Sequence, residues 1–255
     1  MYKLILTDLD DTLLHTDKTI SQRTVSVLEK CKRKGFILGV ATARGETNTL
    51  QCVGGIQPEL VISSAGALAR YKEDIVYCCS FDQRETRKII DTALELTDGK
   101  CEIGADTLDA YYRNYRQESS ILPPDRLHVQ FTDFRDFPQA SLKLTIRLPR
   151  QEMAMEIARR AECSCMRFLG SDWYKFSRQD ATKEHALRQA VHKIGISVKE
   201  VIAFGDDLVD REMLRISGKG IAMGNALREV KEAADDVTAS NEEDGVALWL
   251  EEHVL

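Results

Sequence analysis

A short apolar run, Leu4-Ile5-Leu6-Thr7, carries the chain directly into Asp8-Leu9-Asp10-Asp11-Thr12-Leu13-Leu14, with three carboxylates inside four positions. No other stretch narrows the choice of fold as much. The run reads as a buried strand of a parallel sheet, because it is apolar on both faces and ends in an acidic turn. Asp8 and Asp10 lie two apart, so extended backbone would aim both side chains to one side. Carboxylates that close repel, and a divalent cation at the carboxyl edge of the sheet, where open α/β folds place their ligands, would offset the repulsion. A solvated Asp-rich turn is the competing reading of these residues alone.

The same pattern recurs downstream. Residues 36–41 form an apolar run ending in Thr42-Ala43-Arg44, and residues 60–63 one closed by Ser64-Ala65-Gly66. Residues 200–204 end in Gly205-Asp206-Asp207-Leu208-Val209-Asp210, followed by a strand at 220–223, Gly224-Asn225 and a last strand near Val237. Helical patterns fill the gaps: one from an N-cap at Ser21 to about Lys34 with Gly35 as its stop, one over 183–193, and a closing helix anchored by Val246, Leu248 and Trp249. Strands alternating with helices imply βαβ units and a parallel sheet. The cations Lys30, Lys32, Arg33 and Lys34 fall where a helix ends and suit its C-terminal dipole.

Residues 81–181 read differently. They hold a helical stretch at 85–96, a Tyr-rich segment with Tyr111, Tyr112 and Tyr115, the break Pro123-Pro124, and an alternating strand over 142–148 with one covered and one wet face. A helix at 152–161 precedes a hairpin of 163–169 and 173–177 around Gly170-Ser171-Asp172. This predicts an α+β domain at 81–181 inserted into a core of 1–80 and 182–255. Its aromatics, including Trp173 and Tyr174, either build that domain's core or stack on a substrate.

Composition excludes more than it names. A net charge of −6 and a pI near 5.5 argue against a nucleic-acid footprint, while leaving room for a small anionic substrate met by local cations. Asp8 breaks the N-terminal apolar stretch too early for a signal peptide, and no run is long enough to span a bilayer, so a cytoplasmic protein without membrane contact is expected. Seven cysteines, an odd number without framework spacing, suit reduced thiols. Cys163-Ser164-Cys165 offers half a metal site, but no second pair follows at finger spacing, so zinc is not expected. His15, His128, His185, His192 and His253 are scattered and read as solvated or structural, with His185 notable for lying two residues from Lys183. Oligomeric state is not readable here.

Parallel strands present their carboxyl ends at one edge, so Asp8 with Asp10, Thr42 with Arg44, Lys183, and Asp206 with Asp207 and Asp210 can converge. Three carboxylates with oxygen-only chemistry suit Mg²⁺, and one Lys with one hydroxyl would satisfy the oxygens of a phosphate. Such a set can attack phosphorus with one carboxylate while a second handles protons.

These stretches resemble a known family. Asp8-Leu9-Asp10-Asp11-Thr12 is similar to the first motif of the haloacid dehalogenase (HAD) superfamily, Thr42 to the second, Lys183 to the third, and Gly205 to Asp210 to the fourth. Ala222-Met223-Gly224-Asn225-Ala226 and Glu242-Glu243-Asp244-Gly245-Val246-Ala247 resemble its Cof-like branch, subclass IIB. The resemblance implies an α/β fold with a Rossmann-like parallel-sheet core, an inserted α+β cap that closes over the site, and a Mg²⁺-dependent phosphatase acting on a small phosphorylated metabolite such as a sugar phosphate. It implies Asp8 as nucleophile, Asp10 as acid/base, and Thr42, Arg44 and Lys183 as phosphate-binding groups. Mg²⁺ would be held by the Asp8 carboxylate, the Asp10 carbonyl and Asp206, with Asp207 and Asp210 behind. The cap must be the later insert, because residues 15–41 are too few to form one.

Two departures stand out: Val209 and Ala65 occupy positions where the branch usually shows Asn, which predicts altered affinity or substrate choice. Ala43, where Gly is common, predicts backbone that does not need positive φ there. A phosphotransferase or phosphomutase, and a non-catalytic ligand-binding relative, are the alternatives.

Overall fold

The computed structural model describes residues 1–53, 55–116, 129–168 and 170–255. The Pro123-Pro124 break, His128 and Leu169 lie outside the described residues. Two compact units emerge, one of Met1–Tyr77 with Thr182–Leu255 and one of Cys78–Ala181.

In chain order the first unit opens with β1 (Leu4–Thr7), α1 (Gln22–Arg33), β2 (Ile37–Ala41), α2 (Glu46–Cys52), β3 (Leu60–Ser63), β4 (Leu68–Tyr71) and β5 (Asp74–Cys78). The second holds α3 (Gln83–Leu96), β6 (Ile103–Asp106), β7 (Tyr111–Arg113), β8 (Val129–Phe131), β9 (Lys143–Arg147), α4 (Gln151–Ala161), β10 (Ser164–Arg167) and β11 (Trp173–Ser177). The chain then returns to the first unit with α5 (Lys183–Lys193), β12 (Val201–Gly205), α6 (Arg211–Ile216), β13 (Lys219–Ala222), α7 (Arg228–Lys231), β14 (Asp236–Val237) and α8 (Gly245–His253).

The first unit is built on one sheet of order β14-β13-β12-β1-β2-β3-β4-β5. From β14 to β3 every pairing is parallel, with Leu4 opposite both Val201 and Ile37. β1 and β12 are buried throughout, as continuous apolar runs require. Beyond β3 the sheet turns antiparallel. No strong pattern marks β4, β5 or α2: β5 is mostly exposed and α2 buries only Thr49, so neither has an apolar face to read. The expected helix starts hold. The Ser21 side chain accepts from Thr24 N at 3.0 Å, a cap that typically contributes ~1 kcal/mol. No helix among the described residues is long and apolar enough to cross a membrane.

The second unit is a six-stranded, mostly antiparallel sheet of order β10-β11-β9-β6-β7-β8. The Tyr-rich stretch supplies β7, and the expected hairpin is β10 with β11. Ile103, Ala105, Leu144, Ile146, Tyr174 and Phe176 pack with Ile89, Ile90, Ala154 and Ile157 from α3 and α4. The face of β9 expected to be wet is wet only in part: Arg147 is exposed, whereas Lys143 and Asp106, opposite one another in register, are buried and ion-paired at 3.1 Å. The aromatics divide. Tyr112 meets Phe137 in the core, whereas Tyr111 bonds Tyr115 through their hydroxyls at 2.8 Å and Tyr115 lies 4.9 Å from the Trp173 ring. Burial pushes the Cys163 and Cys165 thiols up to about 12 and about 11, so both are protonated at neutral pH.

Candidate active site

Asp8 follows β1 directly, and its amide still donates to the Phe204 carbonyl of β12 at 3.0 Å. Its position is thus fixed by the sheet. The chain then makes a wide turn closed by Leu14 N donating to the Leu9 carbonyl at 2.8 Å, with Asp11 in the left-handed region at φ 59°. Asn225 locks the turn: its amide donates to the Asp11 carbonyl at 2.7 Å while its oxygen accepts from Asn241 N at 3.0 Å. Asp11 therefore serves as turn structure.

Lys183 opens α5, whose Thr182 cap accepts from His185 N. Its buried Nζ donates to Asp8 Oδ1 and to Asp210 Oδ1, each at 2.5 Å. The second oxygen of Asp210 accepts from the amides of Asp206 and Asp207 at 3.2 Å. Asp210 approaches Gly205 so closely that a Cβ there would lie 2.6 Å from its own Cβ, which explains the glycine at the end of β12. Thr12 donates from Oγ1 to Asp206 Oδ1 at 2.7 Å. Asp207 is exposed and spends one oxygen on the Leu208 amide at 2.6 Å, so it stays outside this cluster. Val209 is exposed as well.

The electrostatics follow from three carboxylates sharing one ammonium. Burial raises the Asp8 pKa; Lys183 opposes that, and Asp210 and Asp206 reinforce it. Burial raises Asp206 to about 6, with Thr12 opposing and Asp210 and Asp11 reinforcing. For Lys183, burial pulls the pKa down but Asp210 and Asp8 outweigh it, and it stays protonated. One oxygen from each of Asp8, Asp206 and Asp210 lies within 4.8 Å of the others. This all-oxygen set, negative beyond what Lys183 neutralises, fits a hard divalent cation.

Asp10 is handled separately. Arg44 grips its carboxylate with two bonds, Nε to Oδ2 at 2.7 Å and Nη2 to Oδ1 at 2.6 Å, and Lys18 reaches Oδ1 at 3.0 Å. Burial alone would raise Asp10, but bonds from Arg44 and Lys18 overcome it and hold the group at about 2. Arg44 also donates from Nη1 to Cys52 Sγ at 2.8 Å. Its guanidinium, expected to bind phosphate, is committed to Asp10 and Cys52.

Thr42 is buried at the end of β2, where its hydroxyl accepts from Arg44 N at 3.2 Å. Ser64, Ala65 and Gly66 follow β3 with three successive positive φ angles, 50°, 61° and 94°. Ser64 N and Ala65 N donate to the carbonyls of Arg44 and Thr42, and a Cβ at Gly66 would overlap the Thr182 carbonyl. This strained loop wedges the Thr42-Arg44 segment against the start of α5. Ala43 has no positive φ, as expected.

Sequence reasoning missed Thr12, Lys18 and Cys52. Thr12 could have been found from its fixed spacing after Asp10, whereas nothing local marks Lys18 or Cys52. Of the histidines, His15 meets Asp244 at 3.1 Å, His185 lies against the Tyr77 ring and His253 stacks on Trp249, all apart from the carboxylate cluster.

Fold and site define a class: a parallel α/β protein whose sheet edge gathers a buried Asp-Lys-Asp cluster, with a second unit inserted after β5. More particularly, the chain belongs to the haloacid dehalogenase-like hydrolases, whose family model matches residues 5–250. It is 28% identical to the 5-amino-6-(5-phospho-D-ribitylamino)uracil phosphatase YitU of Bacillus subtilis, over 98% of this chain and 97% of that one. A putative phosphatase of Haemophilus influenzae is 29% identical, over 99% and 98%. Among solved structures, the HAD subclass IIB sugar phosphatase BT4131 superposes with a TM-score of 0.79 at 25% identity, covering 98% of each chain. TM0651 from Thermotoga maritima shares the fold, with a TM-score of 0.87 at 22% identity over 100% and 98%.

Proposed function

We propose that this phosphatase hydrolyses a small phosphorylated metabolite, a sugar or polyol phosphate, through an aspartyl-phosphate on Asp8, with Mg²⁺ as its cation. The observation that carries the reading is the Asp8-Lys183-Asp210 cluster beside Asp206, where a buried nucleophile is held by a cation at the sheet edge. Asp8 attacks phosphorus while the bond to the leaving oxygen breaks, and that oxygen takes a proton from Asp10, which can carry one only after Arg44 and Lys18 have let go of its carboxylate. Water then attacks the acyl phosphate, Asp10 removes its proton, and inorganic phosphate leaves with Asp8 restored. Lys183 keeps Asp8 aligned and offsets charge on the phosphoryl oxygens, and Thr42 offers them a hydroxyl. Asp8, the Asp10 carbonyl and Asp206 would hold Mg²⁺, which when bound neutralises negative charge on the transferring group. Asp210, with both oxygens engaged by Lys183 and the Asp206 and Asp207 amides, would act from behind by fixing Lys183 and the loop. The inserted unit would select the leaving group. The relatives above, named for a phosphorylated ribityl compound and for sugar phosphates, support this substrate class.

The test is turnover of p-nitrophenyl phosphate with and without Mg²⁺, beside Asp8→Asn, followed by a panel of sugar and polyol phosphates. Loss of at least ~10³-fold in Asp8→Asn is expected. Metal-independent turnover, or an undiminished variant, would refute the mechanism.

A further inference from the structure

We infer that Arg113 is the centre of an oxyanion-binding site on the inserted unit, one that takes a carboxylate or phosphate group of a small molecule. Strand register puts it on a defined face. Ile103, Ala105, Leu144 and Phe176 pack with α3 and α4, so the alternate residues of β6, β9 and β11 point the other way. Arg113 of β7 stands opposite Gly104 of β6, Gly104 opposite Thr145 of β9, and Thr145 opposite Lys175 of β11, while Asp106 and Lys143 form the next row. Arg113, Lys143 and Lys175 are buried on this face and so is Asp106, three cations to one carboxylate among the described residues. That excess of positive charge suits a face that receives an anion.

Arg113 carries the specific signal. It is 8% exposed and its Nε is fully buried, yet its guanidinium has no hydrogen-bond or ion-pair partner among the described residues. What it meets instead are two rings: its Cζ lies 5.4 Å from the centroid of Tyr115 and 5.2 Å from that of Phe131. Aromatic faces attract the charge but supply no oxygen acceptors, so the N–H donors stay unspent. A desolvated cation with unspent donors is costly, and if stacking alone were required an apolar side chain would fill the place without that cost. The planar fork of a guanidinium matches the two oxygens of a carboxylate or phosphate. Its walls are fixed in advance. The Tyr115 hydroxyl bonds that of Tyr111 at 2.8 Å, the Tyr115 ring lies 4.9 Å from that of Trp173, and Phe131 stands in register with Arg113 on the edge strand β8. Phe131 is 60% exposed, so the edge beside it is where a small anion enters. Binding there requires no turnover at Asp8.

The experiment follows the arginine Nε–H resonances of the full-length, EDTA-treated protein by NMR while malonate or inorganic phosphate is added, with Arg113→Lys identifying the Arg113 signal by its loss. A saturable shift of that signal is expected with at least one probe. Movement with malonate alone assigns the site to carboxylates, with phosphate alone to phosphates, and with both to the oxyanion fork they share. A signal unmoved by either probe into the tens of millimolar overturns the proposal. Thermal melting gives a second readout. Without added anion, Arg113→Met is expected to melt at or above the wild type, because it removes an unpaired buried charge. The probe that moves the signal should raise the melting temperature of the wild type and leave that of Arg113→Met unchanged. A variant that melts well below the wild type without anion, beside a wild type indifferent to both probes, would make Arg113 a stacking residue and refute the site. Should neither Arg113 variant fold, Phe131→Ala, a change at an exposed position, is expected to weaken malonate or phosphate binding severalfold in calorimetry by removing one wall. Unchanged affinity for both would then overturn the proposal.

Discussion

Thr12 carries more chemistry than its size suggests. Its buried hydroxyl spends its proton on Asp206 Oδ1 and so fixes which face of that carboxylate remains for a cation. Partners of this kind commonly contribute 10–100-fold in metal affinity. Thr12→Val keeps the shape and removes the bond, so Mg²⁺ affinity measured by calorimetry is expected to fall at least ~10-fold, with stability lowered by only ~1 kcal/mol. Ala65 poses the opposite case. It holds φ 61°, a conformation that costs a residue with a Cβ roughly 1–2 kcal/mol. Ala65→Gly should therefore stabilise the protein by about 0.5–1 kcal/mol in denaturant unfolding, after the entropy of the unfolded glycine is subtracted. The family's usual Asn tolerates the left-handed region, so the departure noted in the sequence is also a departure in backbone strain. That strain could not be read from composition. It became visible only once the Ser64-Ala65-Gly66 loop was seen wedged between Thr42 and Thr182.

At the scale of elements, the strand ends of β1, β2 and β12 and the first turn of α5 present the chemistry, and their apolar runs made them legible in the sequence. Where burial is continuous on both faces the pattern leaves little choice of fold. Legibility failed where an element has no such signature: β4, β5 and α2 rest on hydrogen bonding and on their neighbours. The pairing of Arg44 was hidden for a related reason, since its partners lie at Asp10 and Cys52 and no spacing rule joins the three. Gly66 shows how elements are joined at the site. Gly66→Ala combines a φ of 94° with overlap of the Thr182 carbonyl and is expected to cost more than ~3 kcal/mol, with Lys183 displaced. Thermal unfolding and a crystal structure of the variant would check both. In the inserted unit, alternation along β9 was legible, but its outer face is wet only toward Arg147, because Lys143 is covered and paired with Asp106. Breaking that buried pair by Lys143→Met alone should destabilise the protein by about 3 kcal/mol, seen in denaturant unfolding.

The whole molecule should respond to pH through two opposed sets of carboxylates. Asp206, raised to about 6 by burial, contributes stability that is complete below its ordinary value near 4 and lost as pH rises through about 6; Asp8 acts in the same direction. Asp10, held at about 2 by Arg44 and Lys18 against burial, contributes stability above pH ~4 that is lost as pH falls through about 2, modestly because it is partly exposed. The metal-free protein is therefore expected to melt highest near pH 4–5 and progressively lower toward pH 7. Excess Mg²⁺ should reverse the neutral-pH decline, because a cation that binds the ionised cluster stabilises the folded state by mass action. Scanning calorimetry at several pH values with EDTA or Mg²⁺ would check this, and a neutral-pH melting temperature indifferent to Mg²⁺ would count against the cluster as a cation site. One consequence of the pairing of β1 with β12 concerns synthesis. The strand that leads into Asp8 is made well before its neighbour, which leads into Asp206 and Asp210, with the whole inserted unit in between. The inserted unit can collapse on its own local contacts while the first sheet still waits for β12, β13 and β14. Until then Asp8 lacks the lysine that pairs with it, and the cluster is completed only once α5 and β12 have been made.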